Sequence, residues 1–192
     1  PYAWVHRPDA PSAVPQNLGA RLADTVHLIG YRLTPAEVAP GDTVLLTLYW
    51  EAEAPMDQAY KVFTHLVGPQ GQIVAQEDNQ PNQGMQPTNT WEPGTLVEDP
   101  YEIEIPSDAV PGPYTLRIGM YHPTTLERLS AFREEAQTTP EDSIDVTTVR
   151  VEPRIPGWRR ALSALWLAAV GLGAALATLA SHAARGSALR AT

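Results

Sequence analysis

The feature that most limits this chain is a series of short alternating segments, cut apart by turn residues roughly every ten positions, with no helical period before residue 157. Successive side chains of a strand point to opposite faces, so alternation of apolar and polar residues marks a strand with one buried face. In 43–51 (TVLLTLYWE), Val44, Leu46, Leu48 and Trp50 share one face, while Thr43, Leu45, Thr47, Tyr49 and Glu51 share the other. In 101–105, Tyr101, Ile103 and Ile105 alternate with Glu102 and Glu104, and Pro100 and Pro106 read as stops. In 114–121, Tyr114, Leu116, Ile118 and Met120 form the buried side. Further strands are expected over 25–33, 60–67, 73–76, 128–132 and 144–151. The turn Gly68-Pro69-Gln70-Gly71 predicts a hairpin between two of them. In the last segment the apolar phase slips between Val146 and Val149, which predicts a β-bulge near Thr147 and Thr148.

Seven or eight such strands predict an all-β fold, an immunoglobulin-like antiparallel β-sandwich over 25–152, with Trp50 in the inter-sheet core. The absence of strand–helix–strand alternation excludes α/β architectures. Nineteen prolines and thirteen glycines suit a chain of many turns, and 43% hydrophobic residues suffice for a core. With no cysteine, neither a disulfide framework nor a thiolate zinc site is available.

The flanks are different in kind. Residues 1–24 contain Pro1, Pro8, Pro11 and Pro15 and read as an extended linker entering a domain. There is neither an initiator Met nor an apolar leader core, so the start is not a signal peptide as it stands, and the chain reads as part of something longer. Residues 153–160 read as a juxtamembrane linker, 161–180 as a transmembrane helix and 181–192 as a short basic tail. The span 161–180 carries no charge, and about 20 helical residues match a hydrocarbon core of roughly 30 Å. Trp158, Arg159 and Arg160 on one side and His182 with Arg185 on the other suit the interfaces. Ala169, Gly173 and Ala177 make a small-residue stripe suited to another membrane helix as partner. The competing reading of this segment is a helix docked on the sandwich.

Charge narrows the partners. The chain has net charge −9, and residues 157–192 carry four arginines and no acid. The remaining 9 basic against 22 acidic groups leave 1–156 at −13. That surface repels phosphate backbones, so no nucleic-acid partner is expected.

Reactive constellations are missing. The five histidines have no metal-ligand spacing, and no nucleophile elbow, phosphate loop or dinucleotide fingerprint occurs. No catalytic residue, metal site or cofactor is expected, and the chain is not read as an enzyme. His65 is expected as a partly buried structural histidine and His122 as a turn residue. Asp78, Glu98 and Asp99 are acidic neighbours of a kind that is usually solvated, without calcium-loop spacing.

The long connection 77–94 stands apart. It holds Asn79, Gln80, Asn82, Gln83, Gln86 and Asn89 with Trp91. Amides donate and accept, an indole stacks on a sugar ring, and long connections in compact domains are often functional. Trp91, Asn79, Gln80, Asn82, Gln83 and Asn89 are therefore the candidate ligand-binding residues. The alternative is an ordinary crossover whose amides cap its own backbone while Trp91 seals one end of the core.

The ordered runs LIGYRL, PGDTVLLTLYWEAEAP, YKVFTHLVGPQGQIVAQEDNQP, PTNTWEPGTLVEDPYEIEIP and VPGPYTLRIGMYHPTTLERL, over about residues 25–132, resemble a known domain. It is the C-terminal extracytoplasmic β-sandwich of bacterial, green non-sulfur type membrane glycosyltransferases, similar to the family 39 or aminoarabinose-transferase-like enzymes. The resemblance implies a cell-membrane protein with the sandwich on the extracytoplasmic side. It also implies a non-catalytic accessory or carbohydrate-binding module, with glycan or lipid-linked sugar as its contact. The catalytic acids of such transferases lie near their first membrane helices, and no such region is present here. The alternative is a structural or protein-interaction domain of a membrane-anchored envelope protein with no sugar role.

Overall fold

A strand with one apolar face needs a second layer to cover it, and this chain supplies two sheets whose apolar faces meet. The computed structural model describes residues 16–133 and 141–154. Its strands are β1 (Gln16–Leu22), β2 (Val26–Thr34), β3 (Glu37–Val38), β4 (Thr43–Ala52), β5 (Lys61–Val67), β6 (Ile73–Asn79), β7 (Leu96–Glu104), β8 (Gly112–Tyr121), β9 (Ala131–Arg133) and β10 (Ile144–Val151). One sheet has the order β7-β4-β2-β1-β9 and the other β3-β10-β8-β5-β6. Pairing is antiparallel except for the two-residue parallel match of β3 with β10. The chain divides after Pro153. The expected span 161–180 and its flanks 155–160 and 181–192 lie outside the described residues. Among the described residues no helix is long and apolar enough to cross a membrane.

The alternation foreseen in the sequence becomes the core. Val44, Leu46, Leu48 and Trp50 of β4 are buried against Tyr114, Leu116, Ile118 and Met120 of β8 in one cluster, with Tyr101, Ile103 and Ile105 beside them. Fully burying a side chain of Leu or Phe size contributes about 1.5–3 kcal/mol, so these phases fix the register of both sheets. The β5–β6 hairpin closes through Gly68 N–H to the Gln72 carbonyl at 2.8 Å, with Gly71 in the left-handed region that its turn requires.

Several boundaries differ from the sequence reading. Residues 16–22, read as the end of the linker, form β1, an internal strand between β2 and β9. The sequence QNLGARL is a poor strand former; what holds it is burial of Ala20 and Leu22 and pairing on both sides. Strand β7 begins five residues before the expected start and runs through Pro100. Proline is tolerated there because β7 is an edge strand, where a missing N–H takes no bond from the sheet. The register slip in β10 falls between Asp145 and Thr147, so Val146 is the extra residue, one position before the expected bulge.

Candidate functional site

The connection from β6 to β7 leaves the edge of one sheet and enters the edge of the other. It runs through a turn at Pro81–Gly84, in which Asn82 and Gln83 take left-handed φ of 52 and 53, and a single 3-10 turn, Thr88–Thr90. Its polar groups are largely turned inward. The Asn79 amide donates to Glu77 Oε1 at 2.9 Å, and the Asn82 amide donates to Gln86 Oε1 at 3.2 Å. Thr88 is buried and its hydroxyl links Tyr60 N–H to the Gln58 carbonyl, each at 2.8 Å. Gln80 is half-buried, whereas Gln83 and Asn89 are exposed. Trp91 is only 3% exposed, and its indole N–H donates to the Gln86 carbonyl at 2.9 Å. The structure therefore places Trp91 in the core cluster, the position expected of an indole that seals one end of the core.

What the connection does have is an anchor. Asp99 of β7 points into the core and is completely buried. Its Oδ2 accepts from Trp50 Nε1 at 3.1 Å and from the Tyr101 hydroxyl at 2.8 Å, and its Oδ1 accepts from Asn82 N–H at 2.8 Å. Burial raises the Asp99 carboxyl above its ordinary range, against the lowering effect of the three hydrogen bonds. Glu98, one residue earlier, is exposed on the opposite face of β7, and Asp78 lies in the other sheet. The three acids do not converge, and no metal-binding cluster occurs among the described residues.

A different surface gathers chemistry. Phe63 on β5 lies directly opposite Asp78 on β6 and Gly119 on β8, so all three belong to one face of their sheet. His65 and Tyr121, two positions away on the same strands, share that face, which is the one turned away from the core. The turn after β8 folds back over it. The His122 imidazole Nδ1 accepts from Thr124 and Thr125 N–H, each at 3.1 Å, as expected of a turn residue. Arg128, bridged to Tyr121, extends its guanidinium over the Phe63 ring at 4.5 Å and pairs with Asp142 at 3.0 Å. Phe63, His65, Asp78, Tyr121, Leu126 and Arg128 then line a cleft of about 200 Å³.

Gly119 makes the room. A Cβ there would collide with the edge of the Phe63 ring, so only glycine lets Phe63 lie across β8 as the floor. The His65 ring stacks on Phe63 with centroids 4.6 Å apart. Burial lowers the His65 pKa, and the Asp78 carboxylate only partly offsets this, so the imidazole is neutral at pH 7. Burial and the neighbouring Asp78 raise the Tyr121 phenol, which stays protonated. His65 Nε2 lies 3.9 Å from Asp78 Oδ1, beyond hydrogen-bond length. That oxygen is buried and has no hydrogen-bond partner. Leu126 forms the lip: it is 67% exposed and held at φ +63, a conformation costly for leucine.

The sequence marks His65 as structural and Asp78 as solvated, and it gives no prominence to Phe63, Tyr121, Leu126 or Arg128. The available signal was β5 itself. KVFTHLV does not alternate, and from Val62 to Val67 it is buried on both faces, so something had to cover its outer side.

No family model matches the chain, and no curated protein is similar to it in sequence. Among solved structures, the C-terminal domain of wzt superposes with a TM-score of 0.47 and 10% identity, over 71% of this chain and 78% of that one.

Proposed function

We propose that this chain is a non-catalytic, extracytoplasmic accessory module of a membrane glycosyltransferase-like protein, and that it holds glycan or lipid-linked sugar in the cleft on the outer face of the β6-β5-β8 sheet. The observation that carries the reading is the composition of that cleft. The exposed apolar lip of Leu126 lies beside the Tyr121 phenol and the Arg128 guanidinium, a mixture that suits a ring with apolar faces and hydroxyl edges. Its volume of about 200 Å³ is below the roughly 300–1,000 Å³ of drug-sized sites, which favours a single ring. The sequence resemblance to sandwich domains of such transferases supports the same reading, as does the lack of any reactive constellation in the sequence. Residues 161–180 supply the anchor in this reading.

Two experiments test it. The full chain in mild detergent should capture at least one oligosaccharide from a broad glycan array. Leu126→Gly should weaken that capture while the melting temperature stays level or rises, because glycine relieves the left-handed backbone and removes only an exposed side chain. Capture of no glycan would leave the protein-interaction reading in possession. For topology, a phosphatase fused after Thr192 should be inactive outside the cytoplasm; activity there would reverse the orientation, and a full-length chain that needs no detergent would remove the span.

A further inference from the structure

Asp78 Oδ1 is shut off from solvent and accepts no hydrogen bond. The Tyr121 phenol interacts with the same carboxylate, and the polar atom opposite Oδ1 is His65 Nε2, 3.9 Å away. Buried acceptors are normally paired. Where water cannot enter, the missing donor has to come from the protein itself. A neutral imidazole leaves the gap open, whereas an imidazolium carries an N–H on both nitrogens. An approach of about 1 Å then makes a charge-assisted hydrogen bond, whose usual length is about 2.7–2.9 Å.

The groups around His65 decide what such a proton does. Burial hinders its uptake, Asp78 on β6 favours it, and Arg128 and Arg117 hinder it. Gln76, directly opposite on β6, is uncharged, and Tyr121 on β8 stays a neutral phenol. Coupling between two sites is reciprocal, so a cation that hinders protonation is itself pushed away by it. Arg117 is fixed, because Asp145 of β10 holds it through two hydrogen bonds, at 2.6 and 3.1 Å. Arg128 is the one that can give way. It lies 4.5 Å over the Phe63 ring on which His65 also stacks, and its partner Asp142 has a side chain 65% exposed and free to follow.

We propose that His65 and Asp78 are an acid-operated latch in the wall of the cleft: a proton taken up by His65 closes the pair, sets a second cation beside Arg128 and drives that guanidinium off Phe63, so that the cleft lets its sugar go. The release step rests on the reading of the cleft as a glycan site; the latch does not. The full chain in mild detergent is followed by NMR from about pH 8 to about pH 5. The His65 ring signal should titrate below the ordinary 6.5, and the Arg128 Nε–H signal, displaced by the Phe63 ring current, should move along the same curve. Arg128→Gln should shift the His65 titration to higher pH and Asp78→Asn should shift it to lower pH. An Arg128 signal that ignores the His65 titration, or two variants that shift it in the same direction, overturns the latch. In the binding arm, the oligosaccharide captured by the parent chain on the array should bind about tenfold or more weaker once His65 is protonated, and His65→Gln should remove that dependence. Capture that is equal at both ends of the titration overturns the release step and leaves glycan binding standing. A blank array overturns the glycan reading and the release step with it, while the NMR signals still decide the latch.

Discussion

Asp99→Ala should lower the stability of the sandwich by about 3–5 kcal/mol, measured by denaturant unfolding. The substitution strands three donors in a dry interior: Trp50 Nε1, the Tyr101 hydroxyl and Asn82 N–H. A buried donor left without its acceptor costs about 1–3 kcal/mol, and these three can be only partly relieved by water at the margin of the connection. Against a native stability of about 5–15 kcal/mol, that is a large share. Asp99→Asn keeps the shape but turns one acceptor into a donor, so it should fall between the two. The pH dependence has an unusual sign. The folded-state pKa is raised above the ordinary 3.8, so the native state holds this proton more tightly than the unfolded one. Stability from Asp99 is therefore present below 3.8 and lost as pH rises through the raised value. The native chain should exceed Asp99→Asn by more near pH 4 than near pH 7. A gap that grows with pH would mean that the three hydrogen bonds outweigh burial.

The second large effect is expected at Trp91. Its indole is buried in the core cluster, so Trp91→Ala removes packing and also frees the Gln86 carbonyl. Losses of about 3–5 kcal/mol accompany truncation of a buried tryptophan. The melting temperature should fall steeply, while the fraction that remains folded retains whatever sugar affinity the cleft has. A nearly unchanged melting temperature with abolished binding would return Trp91 to the ligand and displace the cleft.

These two residues show where sequence reasoning runs out. Alternation on β4, β7 and β8 could be read directly, because one face of each strand is apolar and the other polar. Trp91 has no such frame: it sits in a connection, where nothing local distinguishes a core aromatic from an exposed one. Asp99 occupies a core phase of β7, alternating with Val97 and Tyr101, and the pattern was there to be read once Pro100 was allowed inside an edge strand. The cleft was harder. It depends on the absence of a side chain at Gly119 and on a turn after β8 that folds across the sheet, and both are tertiary facts. β1 escaped for the same reason, since its pairing partners and not its own residues make it a strand.

Pro100 has one more consequence. On either side of it β7 presents Glu98, Glu102 and Glu104 outward along the free margin of its sheet. A second copy approaching that margin meets a stretch that cannot offer every main-chain N–H and that carries acids at three of its outward positions. Uncontrolled strand addition, the usual route from an open sheet to insoluble fibres, is thereby blocked on this side.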